Sequence, residues 1–221
     1  MKAPCLFGSA AVALLSLSAA SQSRAADVIP YPSAGSYNAT TYSFTASATG
    51  NVIAYIVGGF TAAYQNQIGL LDNGVLTSAG YGLDNHTSTL GTSFDLGTVT
   101  KGDTLTFVLN NLTLGAKAYS NPALNVGYDL STDTIGHNHI YSTAYTATSP
   151  LLDSAPTGTY VAFEDLRFPA SDFNYNDESF IFTDVSTAVP EPATWAFMLI
   201  GVGAVGYALR RGASTASLPG A

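Results

Sequence analysis

Between residues 42 and 184 the chain consists of short runs rich in Val, Ile, Thr, Tyr and Phe, separated by Gly, Asn, Asp and Pro. β-Branched and aromatic side chains favour strands, whereas the separating residues favour turns. In residues 104–110, apolar side chains alternate with mostly polar ones, as a strand with one buried face requires. No segment shows the period of a convincing amphipathic helix. This pattern restricts the fold to the all-β class.

The spacing of these runs predicts nine strands joined by short turns, among them turns at residues 72–74 and 101–103. The predicted strands are residues 42–48, 52–57, 67–71, 93–99, 104–110, 124–130, 139–146, 158–164 and 178–185. Many short strands with frequent turns are typical of two antiparallel sheets packed face to face. We therefore expect one antiparallel β-sandwich, jelly-roll-like, that spans residues 26–186.

The first 25 residues have the features of a signal peptide. Lys2 precedes an apolar run at residues 6–20, and the small residues Ser23 and Ala25 stand where a signal peptidase requires them. The run is too short to span a bilayer as a helix, so we predict export and cleavage after Ala25, with cleavage after Ala26 as the alternative. Cys5, the only cysteine, lies in this segment. We therefore expect neither a disulfide nor a thiolate metal site in the exported chain.

The predicted domain is strongly acidic. From residue 27 to residue 189 there are three basic side chains, Lys101, Lys117 and Arg167, against fourteen Asp and Glu. A protein that binds a phosphate backbone needs clustered Lys and Arg, so we expect no nucleic-acid partner. Cations are the natural counter-charges of such a surface.

The C-terminal part changes abruptly to an apolar segment. Residues 193–209 carry no charge and would form a helix of roughly 25 Å, which is marginally long enough to span a bilayer. Trp195 lies near one end of this helix, and a pair of arginines follows the other end. By the positive-inside rule the arginines stay on the cytoplasmic side, which leaves the domain outside the inner membrane. We predict a short linker at residues 186–189 and a transmembrane helix after it.

Residues 187–211 resemble the PEP-CTERM sorting signal. The resemblance rests on a Pro-Glu-Pro motif, an apolar helix and an arginine pair, here Pro190, Glu191, Pro192, Trp195, Arg210 and Arg211. It implies recognition by exosortase, a membrane-embedded cysteine transpeptidase, while the inner membrane serves as a transient anchor. It also implies cleavage and transfer to a surface glycopolymer, and so a place at the cell surface or in the extracellular matrix. Residues 212–221 form a short polar tail beyond the signal.

The densest polar chemistry lies in residues 164–178. Seven side chains there offer oxygen atoms suited to a hard cation: Glu164, Asp165, Asp172, Asn174, Asn176, Asp177 and Glu178. Asp172, Asn174 and Asn176 alternate along the chain, as in a tight loop that directs successive oxygens toward one Ca²⁺ ion. Calcium would also relieve the repulsion among the carboxylates. The alternative is a solvated loop in which Asp and Asn side chains bond their own backbone, and the spacing leaves both open.

The same stretch is similar to the core of a secreted domain family of unknown function. That family is marked by Phe-Glu-Asp and then Asp-x-Asn-Tyr-Asn-Asp, which match residues 163–165 and 172–177, and by a His-x-Tyr element that matches residues 139–141. The resemblance extends over residues 127–185. It implies a β-sandwich, often combined with a PEP-CTERM tail, and supplies no activity.

Two histidines precede this stretch. His137 and His139 are two residues apart, so on a strand their side chains face the same way. We interpret them as a hydrogen-bonded pair or as support for the calcium loop. A zinc or copper site with Asp133 or Tyr141 is the alternative, although two histidines are too few ligands by themselves.

Common enzyme signatures are absent from the sequence. It contains no Gly-x-Ser-x-Gly, His-Glu-x-x-His, phosphate-binding loop or dinucleotide fingerprint. Glu164 and Asp177 could act as the acid and base of a glycosidase, but paired carboxylates are common in so acidic a chain. We predict a non-enzymatic exported protein with a structural or adhesive role in exopolysaccharide or biofilm. The alternatives are a calcium-dependent carbohydrate-binding module, whose tyrosines would stack on sugar rings, and a glycan-active hydrolase.

Overall fold

The computed structural model describes residues 29–129, 135–147 and 155–188. These residues form eleven strands and one short 3-10 helix, η1. The elements are β1 (Ser43–Ala46), β2 (Gly50–Gly58), β3 (Asn66–Asp72), β4 (Val75–Gly82), β5 (Ser93–Val99), β6 (Thr104–Asn111), β7 (Ala116–Tyr119), η1 (Pro122–Gly127), β8 (Ile140–Tyr145), β9 (Gly158–Phe163), β10 (Glu178–Phe182) and β11 (Val185–Ala188). The strands form two antiparallel sheets, which confirms the predicted all-β sandwich.

The two sheets bring the beginning and the end of the domain together. The first sheet has the strand order β11-β1-β6-β3-β4, and β7 pairs with the far end of β6. The second sheet has the order β5-β2-β10-β9-β8. Because β1 pairs with β11 and β2 pairs with β10, early and late strands are neighbours in both layers. The predicted turns at residues 72–74 and 101–103 join β3 to β4 and β5 to β6.

The main core fills the space between the sheets. Alternate residues of the facing strands point into it, for example Phe180 and Phe182 of β10 and Phe107 of β6. The rings of Phe107 and Phe182 stack with their centroids 3.8 Å apart, which joins the middles of the two sheets. Removal of this apolar surface from water is the main force that holds the layers together.

A second apolar cluster covers the outer face of the second sheet. Tyr160 of β9 and Ile181 of β10 point away from the main core and are nevertheless fully buried. Tyr31, near the start of the described chain, and Tyr175, in the β9–β10 connection, belong to the cluster that covers them, and their rings meet edge to face. Both faces of β9 and β10 are therefore buried. This explains why their sequences do not alternate between apolar and polar residues.

The predicted strand at residues 124–130 is wrong, because residues 122–127 form η1. Asn121 caps this helix by accepting a hydrogen bond from Ala123 N, and Pro122 lies in its first turn, where no intrahelical bond is lost. The buried side chain of Asn125 accepts from Tyr119 N and donates to Tyr119 O. Local capping and side-chain bonding therefore outweigh the strand propensity of this segment.

The predicted last strand, residues 178–185, is divided in two. A turn at residues 183–184 separates β10 from β11, and Asp184 has a positive φ of 57°. The linker predicted at residues 186–189 is wrong for residues 186–188, because they belong to β11 and pair with β1. The domain therefore continues to Ala188.

Two strands, β4 and β7, were not predicted from the sequence pattern. β4 has exposed or half-buried residues throughout, and β7 has four residues, so neither shows a clear apolar face. β4 follows directly from the predicted turn, in which Asn73 and Gly74 both have positive φ, as a tight hairpin requires. The turn signal therefore indicates β4 better than its own composition does.

The predicted signal peptide, most of the predicted sorting signal and the polar tail at residues 212–221 lie outside the described residues. Within residues 29–129, 135–147 and 155–188, no helix has the length and apolar character needed to cross a membrane.

Candidate carboxylate site

The acidic stretch lies where β9 and β10 are joined. Glu164 and Asp165 follow the last residue of β9, whereas Asp177 and Glu178 lead into β10. Because Glu178 pairs with Phe163 across these strands, the two ends of the connection meet at one end of the sandwich. Carboxylates that are 12 residues apart in sequence are thereby brought close together.

Three of the seven predicted oxygen ligands form one compact group, which we call the carboxylate trio. Glu164, Asp165 and Asp177 each place a carboxylate oxygen within 4.8 Å of the others. Asp165 N donates to Asp177 Oδ2 at 2.9 Å, and Leu166 N donates to Glu164 Oε1 at 3.2 Å. Asn66, the first residue of β3, donates through Nδ2 to Asp165 Oδ2 at 2.7 Å. The trio is thereby tied to the opposite sheet.

The trio is buried and poor in hydrogen-bond donors. Glu164 and Asp165 are 1% and 3% exposed, and Asp177 is half-buried. Among the described residues, no donor reaches Glu164 Oε2 or the Oδ1 of the fully buried Asn66. Glu178 is also fully buried, and no described residue bonds either of its carboxylate oxygens. Buried polar atoms are normally paired, so these oxygens lack the hydrogen-bond donor or cation that buried acceptors usually have.

The pKa values of these carboxyl groups reflect their crowding. Burial, reinforced by the charge of Asp172, raises the pKa of Glu164. Burial and the charge of Asp177 raise the pKa of Asp165 to about 7. Burial and the charge of Glu164 raise the pKa of Asp177 to about 7, and burial raises the pKa of Glu178 well above its usual value. Near neutral pH the folded protein therefore resists full ionisation of this group.

Asp129 is a buried carboxylate in the opposite environment. Its Oδ1 accepts hydrogen bonds from His139 Nε2 at 2.9 Å and from Phe168 N at 3.1 Å. Its Oδ2 accepts a hydrogen bond from His137 N at 3.1 Å. Burial acts to raise the pKa of Asp129, but the hydrogen bond and charge of His139 and the two backbone amides outweigh burial, and the pKa is lowered.

The two predicted histidines both face this one carboxylate. His139 Nδ1 lies 3.0 Å from the Glu164 carbonyl oxygen, while its Nε2 faces Asp129. Both ring nitrogens of His139 therefore lie within hydrogen-bonding distance of an oxygen atom. Glu164 N also donates to His139 O, so His139 holds the backbone of Glu164 on both sides. Of the two partners considered for a metal site, Asp133 lies outside the described residues and Tyr141 packs on the outer apolar cluster.

The three alternating residues of the connection lie outside the trio. Asn174 N donates to Asp172 Oδ1, and Asn176 N donates to Asn174 Oδ1, which makes two successive turns bonded by side chains. Phe173 and Tyr175, between them, have positive φ values of 55° and 53° and belong to the outer apolar cluster. In this structure the alternation places two aromatic rings in the apolar cluster and the side chains of Asp172 and Asn174 against their own backbone.

Sequence reasoning missed three residues that shape the site. Asp129 lies 10 residues before His139 and is masked by the strand pattern around it. Asn66 lies between Gln65 and Gln67, and its residue type does not distinguish it from these polar neighbours. Gly59, after β2, has a positive φ of 94°, and a Cβ there would overlap the Asp177 carbonyl oxygen. The glycine pair at residues 58 and 59 is a turn signal that could have indicated this position, but the sequence does not show its close approach to Asp177.

The chemistry of this site suits a hard cation. Carboxylate and amide oxygens are the ligands that Ca²⁺ prefers, whereas zinc and copper sites are built mainly from imidazole or thiolate. The trio offers oxygen atoms alone, and the two histidines bond Asp129. No lysine or arginine among the described residues forms an ion pair with the trio.

Comparison with known proteins identifies the C-terminal segment. The PEP-CTERM protein-sorting motif is matched over residues 188–212, beginning at the last residue of β11. No curated protein and no solved structure matches the chain. The match confirms the predicted sorting signal and implies that the chain is exported and processed by exosortase.

Proposed function

We propose that this chain, an exosortase-sorted exported protein, has a structural or adhesive role in an extracellular polysaccharide matrix or biofilm. The observation that carries the proposal is the sorting motif at residues 188–212, which directly follows the sandwich. Val189 alone separates Pro190 of the motif from the end of β11. Processing at the motif would therefore transfer the folded domain with almost no spacer.

The charge of the domain supports association with a polymer through cations. Between residues 27 and 189, three basic side chains stand against fourteen acidic ones. Such a surface repels anionic polymers directly but attracts the cations that bridge acidic polysaccharides. We therefore expect binding of the protein to matrix polysaccharide from its host to weaken when divalent cations are chelated, measured by co-sedimentation.

The decisive test is the fate of the tail in the native host. We expect the intact mass of protein recovered from the cell surface or matrix to lack Arg210 and Arg211. A Glu191→Ala variant should keep its C-terminal mass and stay in the membrane fraction. Pro219→Ala, outside the matched motif, is the control and should behave as wild type. Wild-type matrix protein that still carries both arginines would refute the sorting step.

A carbohydrate-binding module is the second candidate, and Tyr37 is the observation that favours it. Tyr37 is the most exposed aromatic side chain among the described residues, at 37%. Its ring lies 5.6 to 5.9 Å from the rings of His137, Phe168 and Phe173, which would hold it rigidly for stacking on a sugar. A glycan array with wild type, Tyr37→Ala and the control Tyr81→Ala separates the two roles. Specific binding lost in Tyr37→Ala alone would favour the module.

A further inference from the structure

We propose that Glu164, Asp165 and Asp177 bind one Ca²⁺ ion at the base of the β9–β10 connection. This inference differs from the loop site that the spacing of Asp172, Asn174 and Asn176 predicts. The side chains of Asp172 and Asn174 accept hydrogen bonds from the backbone of their own turns, whereas the trio is assembled by the pairing of β9 with β10. The geometry points to the base of the connection and away from its tip.

The separation of the three carboxylates fits a single ion. Oxygen atoms that lie about 2.4 Å from one Ca²⁺ ion are at most about 4.8 Å apart. The trio meets this limit, because its three ligand atoms all lie within 4.8 Å of one another. Backbone amides at Asp165 and Leu166 already orient two of the carboxylates, so little side-chain freedom remains to be lost on binding.

The neighbouring Asn66 carries a buried oxygen that has no hydrogen-bond partner among the described residues and does not belong to a carboxylate. Its side chain is fully buried and touches the trio through the 2.7 Å bond from Nδ2 to Asp165. The other end of the same amide, Oδ1, has no hydrogen-bond partner among the described residues. A buried carboxylate can take up a proton when it lacks a partner, but the neutral amide of Asn66 cannot. Its unpaired oxygen therefore supports a ligand independently of the protonation of the carboxylates. An oxygen in this position is a candidate fourth ligand or the acceptor of an ion-bound water.

Glu178 adds a fourth carboxyl group, itself buried, that no described cation neutralises. Both of its oxygens are buried without a partner in the described part of the chain, and its nearest acidic neighbours include Asp165 and Asp177. The described cations do not neutralise this group: Arg167 lies over the Tyr128 ring and Lys117 over the Tyr81 ring. A bound divalent cation would offset repulsion that the protein's own side chains leave in place.

Calcium is the ion that the ligand chemistry and the location favour. The trio supplies carboxylate oxygen atoms, and Ca²⁺ binds such ligands in a flexible geometry, whereas Mg²⁺ demands a near-octahedral one and usually keeps several waters. The choice of calcium also draws on the proposed export, since outside the cell even weak sites fill. Bound there, the ion would join the end of β9, the start of β10 and, through Asn66, the start of β3.

The test is calcium-dependent thermal unfolding of the full-length protein in detergent, after removal of metal with EDTA. We expect saturating Ca²⁺ at neutral pH to raise Tm by about 5–10 °C, followed by circular dichroism. Asp177→Asn and Asp165→Asn should lose this response. Asp172→Asn, on the same connection but outside the trio, is the matched control and should keep it.

A second measurement covers variants that fold poorly. Tb³⁺, which takes the place of Ca²⁺, should show luminescence sensitised by nearby tyrosines, because the Tyr128 hydroxyl bonds the Asp165 carbonyl. Calcium should displace it from wild type, and Glu164→Gln should not bind it. The proposal is overturned if wild-type Tm is the same in Ca²⁺ and EDTA, or if Asp172→Asn loses the response as Asp177→Asn does. An equal shift with Mg²⁺ would overturn calcium as the ion, and none of these results alters the tail-processing assay.

Discussion

The carboxylate trio and Asp129 are buried at the same end of the sandwich, and their environments are opposite. Asp129 is surrounded by donors, from His139, Phe168 and His137, so its charge is satisfied within the chain. Glu164, Asp165 and Asp177 face mainly one another. The shifts in pKa follow, downward for Asp129 and upward for the trio. The hydrogen-bond donors around a buried carboxylate decide whether its charge is stabilised within the chain. The same residue type can therefore form internal hydrogen bonds at one position and be available as a ligand at another.

Neutralising Asp129 should have the largest effect. Asp129→Asn removes the charge that three donors share, and its amide would turn two further hydrogens toward them. We expect a loss of about 3 kcal/mol in the free energy of unfolding, measured with urea in EDTA. Asp95→Asn, at an exposed carboxylate, should change it by less than about 0.5 kcal/mol. Equal losses in the two variants would break the comparison.

Neutralising the trio should act in the opposite direction when no metal is present. Glu164→Gln keeps an oxygen that can accept from Leu166 N and removes one of the repelling charges. In EDTA at neutral pH we expect the free energy of unfolding to rise by about 1–2 kcal/mol. In Ca²⁺ the order should reverse, with wild type the more stable protein. Destabilisation by this substitution in EDTA would contradict the repulsion that we assign to the trio.

The pH dependence should separate the two regions by sign. Because the pKa of Asp129 is lower in the folded protein than its usual value of 3.8, this residue stabilises the fold above pH 3.8. That stabilisation is lost as the pH falls through the pKa of the folded state. Because the pKa values of Asp165 and Asp177 are higher in the folded protein, these residues stabilise the fold below pH 3.8. That stabilisation is lost as the pH rises to about 7.

Metal-free wild type and Asp129→Asn should therefore both lose stability between about pH 4 and pH 7, because both retain the trio. Urea denaturation of both proteins across this range checks the prediction. Glu178 and Asp84 also carry charge in this region. The Glu178→Gln variant tests how much of the pH dependence comes from Glu178. A stability that rises steadily from pH 4 to pH 7 in EDTA would contradict the assignment.

The smallest effect is expected at the tip of the connection. Asn174→Ser retains a side-chain oxygen that can bond Asn176 N, whereas Asn174→Ala does not. We expect Asn174→Ala to lower the free energy of unfolding by about 0.5–1 kcal/mol and Asn174→Ser by less. Neither variant should change the response to Ca²⁺. If Asn174→Ala lost the Tm response to Ca²⁺, the ion would bind in the loop that the residue spacing predicts and not at the trio.

The sandwich was predictable because strand-forming runs and turns are local properties of the chain. The hairpin turn at Asn73 and Gly74 and the alternating residues of β6 illustrate this, since each is read within a few positions. η1 was not predictable from strand propensity, because it depends on the cap at Asn121 and on the bonds of Asn125. β11, where a linker was predicted, was missed for a related reason, since this strand is held by its pairing with β1.

The candidate site was predictable in composition but not in arrangement. The sequence showed that oxygen ligands cluster between residues 164 and 178 and that two histidines precede them. It could not show that Asp129 bonds both histidines or that Asn66 reaches Asp165 from the other sheet. These contacts join residues 8 to 99 positions apart, and residue types alone do not show which distant residues the fold brings together.

The sequence by itself determined the all-β class, the acidic character of the domain and the sorting motif, because each depends on residue types at short spacing. Tertiary structure alone decided which carboxylates are paired with donors and which face one another. The reason is physical: the ionisation of a buried group depends on the few atoms within hydrogen-bonding distance, and strand pairing brings those atoms together from distant parts of the chain.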